Sequence, residues 1–162
     1  MASDELLATV EAFFASYRNA FEQGDAAAIA AHFGDTVHVA SDTGSGVQLQ
    51  YANHTEWRHV VQQLVTRYRA FDVRRADVRA LSATAVSAVL VQARVDWRLY
   101  DGSGEVVYEF AALYTLIREG STCRIVAIAH DEVARSRRSR VGRPAAPPAS
   151  DDAGSPGSGS ER

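Results

Sequence analysis

Residues 84–118 read TAVSAVLVQARVDWRLYDGSGEVVYEFAALYTLIR. Val89, Val91, Ala93, Val95, Trp97 and Leu99 alternate with Gln92, Arg94, Asp96 and Arg98. That period of two is the signature of a strand with one apolar and one polar face. Asp101-Gly102-Ser103-Gly104 is a hairpin signal, and a second strand follows from Val106 to Arg118. No helix follows the DGSG turn, so it is not a phosphate loop. Working outward, Phe71 to Leu81 and Thr122 to His130 keep the same period. The spacing predicts a four-strand antiparallel meander, with Thr84 to Tyr100 as its long strand.

Upstream the period changes. Leu6, Leu7, Val10, Phe13, Phe14, Tyr17 and Phe21 recur every three or four residues, which predicts an amphipathic helix capped by Ser3 or Asp4 and ended by Gly24. Asp25 caps a second short helix, AAAIAAHF, that stops at Gly34. Thr36 to Ala40 reads as a strand, and Val47 to Tyr51 is a short apolar alternation beyond a Gly/Ser-rich loop. Asn53 or Thr55 opens a third helix with Trp57, Val60, Val61, Leu64 and Tyr68 on its apolar stripe. The expected fold is α+β: N-terminal helices held by a cone-shaped, curved antiparallel sheet. Such a cone leaves a hollow, the default place for a ligand.

The chain has 162 residues, enough for one domain, expected at residues 4–133. From Ala134 the sequence ARSRRSRVGRPAAPPASDDAGSPGSGSER is rich in Arg, Pro, Gly and Ser, and 134–162 is expected to be a disordered tail. Its Arg135–Arg140 run is either a solvated segment or an RNA or membrane contact. A net charge of −3 argues against nucleic acid as a partner. No apolar run reaches the roughly 20 residues of a membrane span, and acids stand where a signal peptide would carry bases. The expected compartment is the cytosol. Cys123 is the single cysteine, so neither an intrachain disulfide nor a cysteine metal cage forms. No histidine pair has metal-ligand spacing, and neither a metal nor another cofactor is expected. All the basic residues are Arg, a composition typical of a GC-rich bacterial genome.

Four segments, Tyr17-Arg-Asn-Ala-Phe-Glu-Gln-Gly24-Asp25, HFGDTVHV, ARVDWRLYDGSGE and RIVAIAHDE, together resemble the nuclear transport factor 2-like superfamily, including its SnoaL-like and ketosteroid isomerase-like members. The resemblance covers nearly all of residues 4–133 and implies the cystatin-like cone. It implies a small-molecule pocket, used by some members for cofactor-independent acid–base chemistry and by others for binding alone. In ketosteroid isomerases a tyrosine placed like Tyr17 donates to a developing oxyanion. Their strand acids have no counterpart in Thr36–Ala40 or Phe110–Tyr114, which argues against steroid isomerisation. Arg94-Val-Asp96 is similar to the Arg-x-Asp of limonene epoxide hydrolases, whose last-strand acid falls near His130 and Asp131. The calcium/calmodulin-dependent kinase II association domain is similar around Arg94 and His130, where arginines bind small carboxylates.

The catalytic candidates are therefore Asp96, His130, Arg94 and Tyr17. Asp96 or His130 would move a proton, Arg94 would hold an anion, and Tyr17 would donate to developing negative charge. Alternation alone puts the apolar face of the long strand in the core and Arg94 and Asp96 in solvent. The resemblance implies the reverse, with the pair facing the hollow and the Trp97 face against a second subunit. His130 is either a proton shuttle or a hydrogen-bonded structural group, and Tyr17 either lines the pocket or packs the core. Ligand-binding candidates are His38, Trp57, Tyr108, Phe110 and Tyr114; the last three share a strand face that serves a pocket or plain packing. The last strand is apolar on both faces, which suggests cover on both sides and a homodimer through the sheet. The leading expectation is a SnoaL-like small-molecule site, possessing isomerase, cyclase or hydrolase chemistry on an apolar oxygenated substrate if it is an enzyme. The alternative is a non-enzymatic binding or assembly module with an Arg-anchored carboxylate pocket.

Overall fold

The computed structural model describes residues 2–142. Helices α1 (Ala2–Gln23) and α2 (Ala26–Ala30) lead into strands β1 (Phe33–Asp42) and β2 (Val47–Asn53). Helix α3 (His54–Ala70) precedes β3 (Val73–Ala85), β4 (Leu90–Asp101), β5 (Val106–Glu119) and β6 (Thr122–His130), and α4 (Glu132–Gly142) closes the described chain. The strands form one curved, unclosed sheet in the order β2-β1-β6-β5-β4-β3. The last four make the expected antiparallel meander. Strand β1 lies parallel to β6, and β2 pairs back on β1 as a full strand rather than a short alternation.

Local signals explain most boundaries. Gly24 sits at φ 64°, a conformation that glycine adopts at little cost, and ends α1. Asp25 then accepts the Ala28 N–H at 3.0 Å and starts α2. Asn53 and Glu56 form a reciprocal capping box on α3. The stretch 84–100 is not one strand: β3 runs to Ala85, and Ser87 Oγ accepts the N–H groups of Val89 and Leu90 to build a turn.

The core lies between α1, α3 and the inner sheet face. Phe14 is fully buried and meets Tyr114 at 4.8 Å and Trp97 at 6.2 Å between ring centroids. Truncating such a residue to alanine costs about 3–5 kcal/mol.

The expectation of a disordered tail from Ala134 is corrected for residues 134–142, which are helical; residues 143–162 of that expected tail lie outside the described residues. Apolar content, on which the expectation rested, misses how α4 is held. Ala134 is buried, Arg137 donates to the Thr43 carbonyl at 2.9 Å, Ser139 donates to the Val107 carbonyl at 2.6 Å, and Arg140 lies over the Phe71 ring. These polar anchors satisfy carbonyls of neighbouring elements without any large aliphatic side chain.

Candidate functional site

The concave sheet face and the helices enclose a cavity of about 100 Å³. Its wall is largely aromatic, with Tyr17, Trp57, Tyr68, Trp97 and Tyr114 among the lining residues; the polar lining comprises His130 at the end of β6, Glu132 at the start of α4, and Arg18, Glu22, Arg74 and Arg75.

Glu132 is held by two elements far apart in sequence. The hydroxyls of Tyr68 on α3 and Tyr108 on β5 both donate to its Oε1, the latter at 2.9 Å. Burial first, and the facing Glu132 carboxylate second, push both phenols well above their ordinary range, so they stay protonated donors. Oε2 has no protein partner among the described residues. One oxygen is thus locked by two donors, and the other remains available to a ligand in the cavity.

A β-bulge brings His130 to this site. Tyr114 pairs with Ile128 and Leu116 with Ile125, so Val126 is the extra residue. Strict alternation from the fully buried Ile125 would send His130 outward; the bulge resets the parity and turns Ile128 and His130 to the cavity. The ring is tied at both nitrogens. Nδ1 accepts the backbone N–H of Glu132 at 3.2 Å, so the neutral ring carries its proton on Nε2, 3.0 Å from Ser41 Oγ. Ser41 is therefore the acceptor in that contact, the opposite of a nucleophile awaiting a base. Desolvation lowers the His130 pKa below its ordinary value, outweighing the carboxylates of Glu132 and Asp131.

Asp131 serves structure. Its carboxylate accepts the Ala111 N–H and the Arg135 guanidinium, each at 2.9 Å, tying the start of α4 to β5.

With this geometry established, comparison with known proteins identifies the lineage. Residues 4–133 match the family model described as NTF2-like protein (DUF6841). The chain belongs to this NTF2-like family. No curated protein matches it. An NTF2-like protein of unknown function from Pseudomonas putida KT2440 superposes with a TM-score of 0.63 at 12% identity, covering 80% of this chain and 87% of that one. A cystatin-like domain of unknown function from Nostoc punctiforme PCC 73102 gives 0.60 at 17% identity, covering 87% and 83%. The beta subunit of a candidate aromatic-ring-hydroxylating dioxygenase from Novosphingobium aromaticivorans DSM 12444 gives 0.59 at 14% identity, covering 81% and 92%. At these identities the likeness is one of fold.

Within the NTF2-like cone the candidates from sequence separate. Tyr17, Trp57, Phe110, Tyr114 and His130 line the cavity. Tyr17 is buried, its hydroxyl paired with that of Tyr114, which in turn accepts the Trp97 indole N–H at 3.0 Å. Tyr108 reaches the site through its bond to Glu132. Arg94 and Asp96 do not face the hollow. They sit on the outer sheet face, 3.1 Å apart, with 60% and 40% of their side chains exposed. Val91, Ala93 and Val95 on the same strand are fully buried, so the alternate positions must point away. Reversing the strand would bury two charges and expose a valine stripe. His38 also lies outside the cavity, edge-on to Tyr51 at 4.7 Å on the outer face.

Sequence reasoning missed Glu132 and Tyr68 as site residues. Glu132 reads as a surface charge after the last strand, and its partners lie 64 and 24 residues away. Its position opening α4 became meaningful only once that segment proved helical. Among the described residues no group of three or more His, Cys, Asp or Glu could hold a metal ion, and no helix is long and apolar enough to cross a membrane.

Proposed function

We propose that this protein is a small-molecule-binding NTF2-like domain whose cavity performs cofactor-independent acid–base chemistry, as an isomerase, cyclase or hydrolase, on an apolar oxygenated compound. The observation that carries the reading is the Glu132 carboxylate, with Oε1 locked by two phenols and Oε2 without a protein partner among the described residues. An oriented carboxylate in an apolar wall is a base whose geometry is set before the ligand arrives. In this reading Glu132 Oε2 accepts the proton, Tyr68 and Tyr108 hold the carboxylate, and His130 fixes the start of α4. Arg94 and Asp96 have no part in it.

The test needs no knowledge of the natural substrate. Cyclic ketones are incubated with the protein in D2O, and α-hydrogen exchange is followed by NMR. The wild type accelerates exchange, and Glu132→Gln loses about 10²- to 10⁴-fold of that acceleration. Equal rates in the two proteins would remove Glu132 from the chemistry.

A second reading, binding without catalysis, is favoured by Arg18. Arg18 lines the cavity, and its buried Nε has no hydrogen-bond partner among the described residues. A carboxylate ligand would meet it there, with Arg18 taking the anchoring part expected of Arg94. Tight carboxylate binding without any proton exchange selects this reading.

We also propose a homodimer through the outer sheet face. Leu49, Tyr51, Leu113 and Ile117 are exposed large apolar groups on that face, and a sheet face left to water would normally be polar. We take the compartment to be the cytosol, in keeping with the lone free Cys123.

A further inference from the structure

Ser16 on α1 and His32, between α2 and β1, form a polar pair apart from the cavity lining. Ser16 Oγ lies 3.0 Å from His32 Nε2, and His32 Nδ1 lies 2.7 Å from the Ala28 carbonyl oxygen. A carbonyl only accepts, so Nδ1 carries the proton of the neutral ring. Nε2 is then the acceptor, and the Ser16 hydroxyl donates to it. This polarity is the reverse of the Ser41–His130 contact. A hydroxyl that donates to a histidine, whose other nitrogen is held by a third group, is the arrangement of an activated nucleophile.

Local structure fixes the base. The His32 N–H bonds to the Ile29 carbonyl at 3.1 Å, one residue short of the regular helical partner, and the ring takes the Ala28 carbonyl instead. The His32 carbonyl accepts the Ile125 N–H at 2.8 Å, which ties it to β6. The rings of Phe13 and Tyr17 meet the imidazole edge-to-face, at 5.4 and 5.6 Å between centroids. Ser16 is exposed, so the pair is approached from solvent.

We infer that Ser16 accepts the acyl group of an activated ester, with His32 as its general base. Ser16 Oγ attacks the acyl carbon, and its proton passes to His32 Nε2. The bond to the leaving group then breaks, and the departing oxyanion takes the proton back from His32. An ester on Ser16 and a neutral ring remain. Within α1 the backbone N–H groups around Ser16 bond to carbonyls one turn earlier, so none is free to steady the developing oxyanion. The donor must therefore bring a good leaving group: aryl esters and acyl phosphates qualify, and amides do not. This activity is independent of the cavity and of Glu132.

The probe is 4-nitrophenyl acetate, added to the full chain. The sequence contains no lysine, so lysine side chains cannot compete for the acetyl group. Nitrophenolate release is followed by absorbance, and tandem mass spectrometry of the tryptic peptide ending at Arg18 separates Ser16 from Ser3, Tyr17 and the terminal amine. The expected result is acetylation of Ser16 that is slowed about 10²- to 10⁴-fold in His32→Gln. His59→Gln, which alters an exposed histidine on α3, should label like the wild type. In Ser16→Ala the nitrophenolate released in step with that label should disappear. This variant puts a stronger helix former on an exposed position, so it keeps its fold and stays informative should His32→Gln not fold. The inference is overturned if Ser16 of the wild type carries no acetyl group, if Ser16→Ala releases nitrophenolate as fast as the wild type, or if a folded His32→Gln labels Ser16 at the wild-type rate.

Discussion

The backbone N–H of Glu132 donates to Nδ1 of His130 two residues earlier, at 3.2 Å. This short contact fixes the tautomer of the histidine and couples the end of the sheet to the start of α4, where the cavity's carboxylate stands. Protonating Nδ1 removes the acceptor, so the native arrangement needs the neutral ring.

A pH dependence with a definite sign results. Desolvation sets the folded-state pKa of His130 below its ordinary 6.5, despite the opposing pull of Glu132 and Asp131. The unfolded chain therefore binds the proton more readily. The stability this group contributes is present above pH 6.5 and is lost as pH falls through the lower folded-state value. Denaturant melts between pH 7.5 and 5 should show falling stability, and His130→Gln should flatten that slope. An unchanged slope in the variant would assign the effect to other groups.

Removing the carboxylate should harm folding as well as binding. In Glu132→Ala the hydroxyls of Tyr68 and Tyr108 lose their common acceptor inside the protein. Leaving a buried donor unpaired costs about 1–3 kcal/mol. The triple variant with Tyr68→Phe and Tyr108→Phe added removes the stranded donors too. It should be more stable than Glu132→Ala alone, a non-additivity readable from four urea curves: the wild type, Glu132→Ala, Tyr68→Phe with Tyr108→Phe, and the triple variant.

How much of this was legible in the sequence depends on the range of the signal. The helix caps at Asp25 and Asn53 and the alternation in β4 are local, and they read correctly. The alternation also gave the right side for Arg94 and Asp96, where the resemblance pointed the other way; three fully buried neighbours on β4 outweigh a shared Arg-x-Asp pattern. The bulge at Val126 carries no comparable local mark, yet it decides that His130 points inward. Glu132 was out of reach for a different reason. Its role is made by tyrosines on two other elements, and its own helix is anchored by Ser and Arg contacts that hydropathy does not register.

Placement of Arg94 and Asp96 on the outer face predicts a small effect of losing them. Their side chains are largely exposed, and pairs of this kind contribute about 0–1 kcal/mol. Arg94→Ala with Asp96→Ala should leave cyclohexanone binding unchanged within twofold, as isothermal titration would report. A tenfold loss would mean that the pair reaches the cavity after all.

The outer face supplies the last prediction. Leu49 is 78% exposed and Leu113 is 47% exposed, both beside a broad groove that also carries His38 and Tyr51. If a second copy covers this face, light scattering at tens of micromolar should give a mass near twice 17.5 kDa. Leu113→Glu should then halve it, because a buried unpaired carboxylate opposes association more strongly than burial of the leucine favours it. The substitution lies on the solvent side of the sheet in the single chain, so the far-ultraviolet circular dichroism of the variant should match the wild type. A wild type that scatters as a single chain would leave the exposed leucines without a partner and withdraw the dimer.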